Sequence, residues 1–242
     1  SEMYSLEAMR LSIENLPKVY HNPADTAAWE KVILANTLAG IAIGCAGTEK
    51  HAYAFGKAVG VTAREMGYNV VCDPVVDMTD GSQRSLGTDK HKVADLACAM
   101  ARGMHDGGVL TVGKHFPSAP GNPMIDSHMA ENCSDVTYEE LVDYYLYPYL
   151  ELSKRGLLDG IMTAHCRLTN IDPEYPASLS KKVIDIIKRQ GYDGLFITDS
   201  LAMMGIMQKY GEKEAYALAL MAGNDIVMPN CRNRNEDIFN LM

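Results

Sequence analysis

Strand-like and helix-like segments alternate along the chain from residue 69 onward. Short apolar runs rich in valine and isoleucine predict strands at 69–78, 109–116, 159–166, 193–200 and 224–230. Between them, apolar residues at helical spacing predict helices at 91–108, 137–156, 180–191 and 212–223. Strands separated by helices in this way are typical of a parallel sheet covered by helices.

Capping residues mark the starts of two of the predicted helices. Thr137 and Glu140 have the spacing of a capping box, and Ser180 is a typical helix-starting residue. The segment ASLS, residues 177–180, is a candidate for a sixth short strand.

The positions of the ionisable residues distinguish a barrel from a doubly wound sheet. The chain has no glycine-rich phosphate-binding fingerprint, which disfavours the doubly wound arrangement. Five ionisable residues lie at or just beyond the carboxyl ends of predicted strands: Asp77, Lys114, His115, His165 and Asp199. Because (β/α)8 barrels build their active sites at this end of the strands, we predict an α/β fold of the TIM-type (β/α)8 barrel class.

The first 65 residues do not supply all the strands of a complete barrel. Residues 27–40 and 49–67 have helical spacing, so five or six strands are predicted from the pattern in place of eight. We therefore expect a barrel whose first two strands are lacking or altered, unless the segment LAGIAIGCAG (38–47) is extended.

Composition and charge narrow the range of partners. Hydrophobic residues make up 47% of the chain and charged residues 22%, as in ordinary globular proteins. The net charge of −9 argues against nucleic acid or an anionic membrane as a partner. The six cysteines have no metal-binding or redox spacing, and no secretion signal or membrane-spanning run is evident. We expect reduced thiols, no metal site and a cytoplasmic location.

The segment KHFPSAPGNPMIDSH, residues 114–128, is the strongest candidate for a catalytic loop. Its three prolines prevent regular structure, and irregular segments that carry ionisable groups often hold functional residues. His128 can give and take a proton near neutral pH. Asp126, two residues earlier, is placed to orient that ring if the backbone is extended. The alternative for Asp126 is an Asx-turn.

Each of the other candidates also has a structural alternative. Asp199 follows an apolar strand, where it is either an active-site carboxylate or a cap of the following helix. Lys114 and His115 are adjacent, so on a regular strand they point to opposite faces. Arg84 is either a ligand-binding residue or a solvated loop charge, and His165 is either a supporting residue or a core histidine with its hydrogen bonds satisfied.

The chain contains five motifs in order: AYAFGKAVGVTAREMGYNVVCDPVVDM, QRSLG, GKHFP with DSH, IMTAH and LFITDSLAMMGI. Together they resemble the N-terminal barrel domain of glycoside hydrolase family 3, especially its bacterial β-N-acetylglucosaminidase branch. The resemblance covers roughly residues 37–230 and leaves 1–36 poorly matched within a single predicted domain, 1–242. The family's Gly-His-Gly after Lys-His-Phe-Pro is here SAPG, and its Asp-Gln-Glu-Gly-Gly segment has no counterpart in residues 1–50.

The resemblance implies a role for each candidate residue. It implies that Asp199 is the nucleophile and that Asp126 and His128 form the acid/base dyad. It further implies that Arg84, Lys114 and His115 hold the sugar hydroxyls, with His165 counted among the substrate-binding residues as a support behind them.

These roles predict a glycosidase that cleaves terminal β-linked sugars with retention through a covalent glycosyl–Asp199 intermediate. N-acetyl-β-glucosaminide is the expected substrate, with no cofactor or metal. The alternatives are a β-glucosidase or β-xylosidase, transfer to phosphate, and an incomplete, non-catalytic sugar-binding barrel that self-associates as a homo-oligomer. A lyase that forms a Schiff base through Lys114 is a further alternative.

Overall fold

A computed structural model of the chain describes residues 2–22, 24–32, 34, 48–78, 85–122, 124–126 and 128–228. The helices are Glu2–His21 (α1), 26–32 (α2), Glu49–Glu65 (α3), Lys90–Asp106 (α4), Tyr138–Glu140 (α5), Tyr147–Lys154 (α6), Lys181–Arg189 (α7), Met204–Met207 (α8) and Glu212–Ala222 (α9). A π-helical turn spans Leu141–Tyr145 and a 3-10 turn spans Ala177–Leu179. The strands are Val70–Val71 (β1), Leu110–Phe116 (β2), Asn132–Ser134 (β3), Gly160–Thr163 (β4), Cys166–Leu168 (β5) and Leu195–Thr198 (β6).

Four of these strands form a parallel sheet in the order β1-β2-β4-β6. A single parallel bridge from Ile197 to Ile226 continues the sheet beyond β6. Helices separate the successive strands of this four-stranded sheet, which is the strand–helix repeat of an α/β barrel. The predicted fold class is therefore found in the described part of the chain.

The two faces of the sheet bury different sets of side chains because alternate residues of a strand point in opposite directions. Phe196 of β6 packs with the helices on one face. Its neighbour Ile197 packs with Val112 and Met162 on the other face, which is the inner face of the strand–helix wall. The inner face leads to the carboxyl ends of the strands, where the candidate site lies.

Helices α3 and α4 pack through glycines on both sides of the contact. A Cβ added to Gly103 of α4 would lie 2.2 Å from the carbonyl oxygen of Tyr53, and one added to Gly56 of α3 would lie 2.0 Å from that of Met100. The two backbones therefore approach as closely as only glycine permits.

Several predicted boundaries and elements differ from the structure. Residues 177–179 form a 3-10 turn instead of a strand, with the amide of Leu179 donating to the carbonyl of Pro176. The predicted 137–156 helix has the expected Thr137–Glu140 capping box but is interrupted by the π-helical turn. The short strands β3 and β5, which pair in parallel, were not predicted. The segment 38–47, and with it the question of the early strands, lies outside the described residues.

Candidate active site

The carboxyl ends of β2, β4 and β6 bring the predicted site residues to one edge of the sheet. Lys114 and His115 lie near the end of β2, His165 lies two residues after β4, and Asp199 follows β6 directly. Since these strands are parallel neighbours, their ends meet at the same edge.

Asp199 is fixed by its backbone at the point where β6 ends. Its amide donates to the carbonyl of Thr163 on β4 at 2.9 Å, and its Oδ1 accepts from the amide of Ser200 at 2.7 Å. The following helix, α8, begins later, and its N-cap residue, Met203, makes no side-chain capping bond. The helix-cap alternative for Asp199 is therefore wrong.

His165 is a buried, neutral support beside Asp199. Only 2% of the residue is exposed, and burial lowers the pKa of its imidazole. Nε2 lies 2.9 Å from the carbonyl oxygen of Ser200, and Nδ1 lies 2.8 Å from Oγ of Ser178. A carbonyl only accepts, so Nε2 carries the proton. Both nitrogens are occupied by protein groups, so the ring holds the turn after Asp199.

Other candidate residues influence the pKa values of His165 and Cys72. The charges of Asp199, His115 and His128 all act on the pKa of His165, which burial lowers most strongly. Burial raises the pKa of the Cys72 thiol on the inner face, while Lys114 lowers it and Asp199 raises it. Asp199 and the Lys114–His115 pair therefore influence both groups, His165 and Cys72.

A β-bulge explains how the adjacent Lys114 and His115 both belong to the site. Gly113 of β2 pairs with Ile161 of β4, and the next pair is Phe116 with Thr163. Strand β2 thus covers three residue steps where β4 covers two, and the extra residue falls at positions 114 and 115. A bulge opposes two residues to one and re-aims their side chains, which removes the strict alternation expected from a regular strand.

Asp77 is a site residue to which the sequence analysis gave no catalytic role. Its Oδ1 accepts from the backbone amide of His115 at 2.8 Å, and its Oδ2 lies 2.7 Å from Nδ1 of the same histidine. The two side chains are largely buried, with 19% of His115 and 23% of Asp77 exposed. The sequence signal was the position of Asp77 at the carboxyl end of a predicted strand.

The predicted Asp126–His128 pair is formed. Oδ1 of Asp126 accepts from the backbone amide of His128 at 2.9 Å and lies 2.7 Å from Nδ1 of the ring. These hydrogen bonds from the amide and then from the ring lower the pKa of Asp126. The Asx-turn and the side-chain pair therefore occur together. Both side chains are 64% exposed, so the dyad approaches the site from the solvent side.

Two contacts link the loop that carries Asp126 and His128, here called the dyad loop, to α8 and to β3. The amide of Met204, at the start of α8, donates to the carbonyl of His128 at 3.1 Å. On the other side, the side chain of Asn132 on β3 accepts from the amide of Asn122 at 2.8 Å and donates to the carbonyl of Ile125 at 3.1 Å. The unpredicted strand β3 is thus what fastens the loop.

Arg84 lies outside the described residues, so its predicted contact with the substrate stays a prediction. Within the described ranges, no group of three or more histidine, cysteine or acidic side chains is arranged to hold a metal ion. No helix in the same ranges is long and apolar enough to cross a membrane.

The parallel strand–helix wall carries a carboxylate, an Asp–His dyad and a Lys–His bulge at or near its carboxyl edge, where α/β barrels build their functional sites. The sequence profile of the glycosyl hydrolase family 3 N-terminal domain matches residues 27–241. The chain belongs to this family, as its motifs predicted, and the family confirms the TIM-type α/β barrel class.

Named relatives and solved structures agree with this assignment. The chain is 36% identical to a beta-hexosaminidase of Tolumonas auensis over 167 residues, 66% of this chain and 49% of the relative. It is similar to the family 3 β-N-acetylglucosaminidase structure from Paenibacillus sp. (TM-score 0.77, 32% identity), over 84% of this chain and 40% of the other. The Thermotoga maritima β-N-acetylglucosaminidase gives a TM-score of 0.72 at 29% identity, over 84% and 44%. The chain spans about half the length of the curated relatives it matches.

Proposed function

We propose that this protein hydrolyses terminal N-acetyl-β-glucosaminides with retention of configuration. The observation that carries the proposal is the Asp126–His128 dyad, in which the carbonyl of His128 accepts a hydrogen bond from the amide of Met204, at the start of the helix that follows Asp199. A carboxylate below the sugar and a proton donor above the scissile bond are the two groups that a retaining glycosidase needs.

In the first step, the carboxylate of Asp199 attacks the anomeric carbon and the bond to the leaving oxygen breaks. Nδ1 of His128 donates to the ionised Asp126, so Nε2 is the nitrogen that gives its proton to the leaving oxygen. The products of this step are the free alcohol and a glycosyl ester of Asp199.

In the second step, Nε2 of His128 takes a proton from water, and the water oxygen attacks the anomeric carbon. The ester bond breaks and restores the carboxylate of Asp199, while the proton on His128 restores the acid. Two displacements at the same carbon give net retention. Asp126 stays ionised throughout, because its pKa is lowered by the bonds from His128, and it stabilises the imidazolium form.

The remaining residues are proposed to bind the sugar. Lys114 and His115 lie in the bulge at the carboxyl edge of the sheet, where hydrogen-bond donors and acceptors reach a ring bound against Asp199. Arg84 is proposed to bind the sugar together with them. The choice of N-acetylglucosamine follows the names of the relatives, which are beta-hexosaminidases and β-N-acetylglucosaminidases.

The test is a panel of 4-nitrophenyl β-glycosides carrying N-acetylglucosamine, glucose or xylose, assayed with and without phosphate. We expect release of nitrophenol from the N-acetylglucosaminide, loss of this activity in Asp199→Ala, and no dependence on phosphate. Preference for glucose or xylose would contradict the substrate, and a sugar 1-phosphate product would contradict hydrolysis. No turnover of any glycoside by the folded protein would favour a non-catalytic barrel.

A further inference from the structure

Asp77 and His115 form a hydrogen-bonded pair whose two side chains are both largely buried. One carboxylate holds both the backbone and the ring of the same histidine, with Oδ1 facing the amide and Oδ2 facing Nδ1. Two bonds to one residue fix both the position of the ring and its rotation. Only a carboxylate can accept from both groups at once through two separate oxygens.

Asp77 is itself held from several sides. Its carbonyl accepts from Oγ of Ser85 at 2.8 Å. Oγ of Ser118 lies 3.5 Å from its Oδ1, 3.2 Å from the carbonyl oxygen of Val76 and 3.0 Å from the hydroxyl of Tyr149. Burial raises the pKa of Tyr149 well above its usual value, so this hydroxyl is a neutral phenol. The carboxylate is thus fixed by surrounding structure before any substrate binds.

We propose that Asp77 is a positioning residue that fixes His115 in its Nδ1–H tautomer, so that Nε2 accepts a hydrogen bond from a sugar hydroxyl. A carboxylate accepts hydrogen bonds and does not donate them, so Nδ1 must carry the proton. In the neutral ring the other nitrogen is then an acceptor. Within the described residues Nε2 of His115 has no protein partner. The sugar part of this proposal rests on the proposed function, and the tautomer part does not.

Asp77→Asn is the informative variant because its effect on the ring follows from the geometry. The backbone amide of His115 can only donate, so the side-chain oxygen of the introduced asparagine must stay opposite it. The amino group of that asparagine then faces Nδ1, which becomes an acceptor, and the proton moves to Nε2. This substitution reverses the tautomer and keeps the size of the side chain.

Asp126→Asn is a matched control with the opposite expectation. Both bonds to His128 end on the same oxygen, Oδ1 of Asp126. The single side-chain oxygen of an asparagine at this position can therefore keep both bonds, and the tautomer of His128 is unchanged. The same chemical substitution thus changes the tautomer of His115 at one site and leaves the tautomer of His128 unchanged at the other.

The first measurement is the ¹⁵N NMR spectrum of the imidazole rings at pH 8, with His115 assigned through His115→Gln. We expect the Nδ1–H form of His115 in the parent and in Asp126→Asn, and the Nε2–H form in Asp77→Asn. An Nε2–H form in the parent, or no change in folded Asp77→Asn, would overturn the proposal. Thermal unfolding of each variant verifies that it is folded.

The second measurement tests the acceptor role with 4-nitrophenyl N-acetylglucosaminides that carry fluorine in place of the 3-, 4- or 6-hydroxyl. Fluorine cannot donate, so we expect one position where the parent loses roughly 10–100-fold in kcat/KM, as when a supporting contact is lost. In Asp77→Asn the loss in kcat/KM at that position should be about 10-fold smaller. Nε2 of His115 carries a proton in this variant, so it does not depend on a hydrogen bond donated by the sugar. Equal losses in both proteins at every position would contradict the role in sugar binding. Failure of the parent to turn over the unsubstituted glycoside would contradict the proposed function and leave the tautomer result standing.

Discussion

At the scale of single residues, three histidines of the site differ in what their second nitrogen contacts. His115 and His128 each face a carboxylate through Nδ1, whereas His165 faces the Ser178 hydroxyl and a carbonyl oxygen. The carboxylates hold a proton on Nδ1 of His115 and of His128 and leave Nε2 without a partner among the described residues. Both nitrogens of His165 are used by protein groups, so this ring supports the turn after Asp199.

His165 gives the folded protein a pH-dependent stability. Its pKa is lowered by burial below the usual 6.5, so as the pH falls below 6.5 the unfolded chain binds a proton that the folded chain does not. The free energy of unfolding should then fall by up to about 1.4 kcal/mol per pH unit until the lowered pKa is reached. Urea unfolding at pH 7.5, 6.5 and 5.5 measures this slope. His165→Gln should flatten it and His51→Gln, on the exposed surface of α3, should not. Equal slopes in all three proteins would contradict the assignment.

Asp126→Asn should reduce activity without unfolding the protein. The variant keeps the hydrogen bonds to His128 and removes the negative charge of Asp126, which would stabilise the positive charge that the ring carries during proton transfer. We expect kcat to fall roughly 10–100-fold for an alkyl glycoside, which needs an acid, and less for a 4-nitrophenyl glycoside. The melting temperature should stay the same because the side chain is 64% exposed. An equal loss for both leaving groups would indicate that His128 is not the acid.

At the scale of secondary-structure elements, local irregularities position the site. The bulge in β2 re-aims Lys114 and His115, and β3 fastens the dyad loop through Asn132. Regular strands alternate their side chains and cannot present adjacent residues on one face. The site therefore depends on departures from the repeat that forms the wall.

The packing of α3 against α4 gives a prediction about stability. In Gly103→Ala the added Cβ would lie 2.2 Å from the carbonyl oxygen of Tyr53, a backbone atom that cannot move without shifting α3. We expect a loss of about 3 kcal/mol in the free energy of unfolding, measured by urea denaturation. Gly211→Ala is the control, because no atom lies within 4 Å of its added Cβ. A similar small effect at both positions would show that the helices are not in close contact.

The sequence predicted the features that depend on residues close to one another along the chain. The Thr137–Glu140 capping box and the Asp126–His128 pair each involve residues two or three positions apart, and both are formed. The pairing of Asp77 with His115 joins residues 38 positions apart, and no local sequence pattern predicts it. Strand β3 has three residues, too few for a period-2 signal. The unpredicted features are thus those that only tertiary structure creates.

At the scale of the whole molecule, the strand–helix repeat explains why distant parts of the sequence meet in one site. Parallel strands end at one edge, so residues 114, 165 and 199 converge although long segments separate them. The family match over residues 27–241 assigns this wall to the glycosyl hydrolase family 3 N-terminal domain. Because the chain spans about half the length of its relatives, its activity and its substrate are proposals, and assays of this protein test them.

The most direct test of the central claim is to trap the covalent intermediate on Asp199. A glycosyl fluoride of N-acetylglucosamine with a second fluorine at C5 slows both steps by destabilising the oxocarbenium-like transition state, while its good leaving group favours formation of the ester. Peptide mapping by mass spectrometry after brief incubation then locates the label. We predict one sugar attached to the peptide that contains Asp199, and no label in Asp199→Ala. A label on a different carboxylate, or turnover of the reagent with inversion and no adduct, would contradict the account.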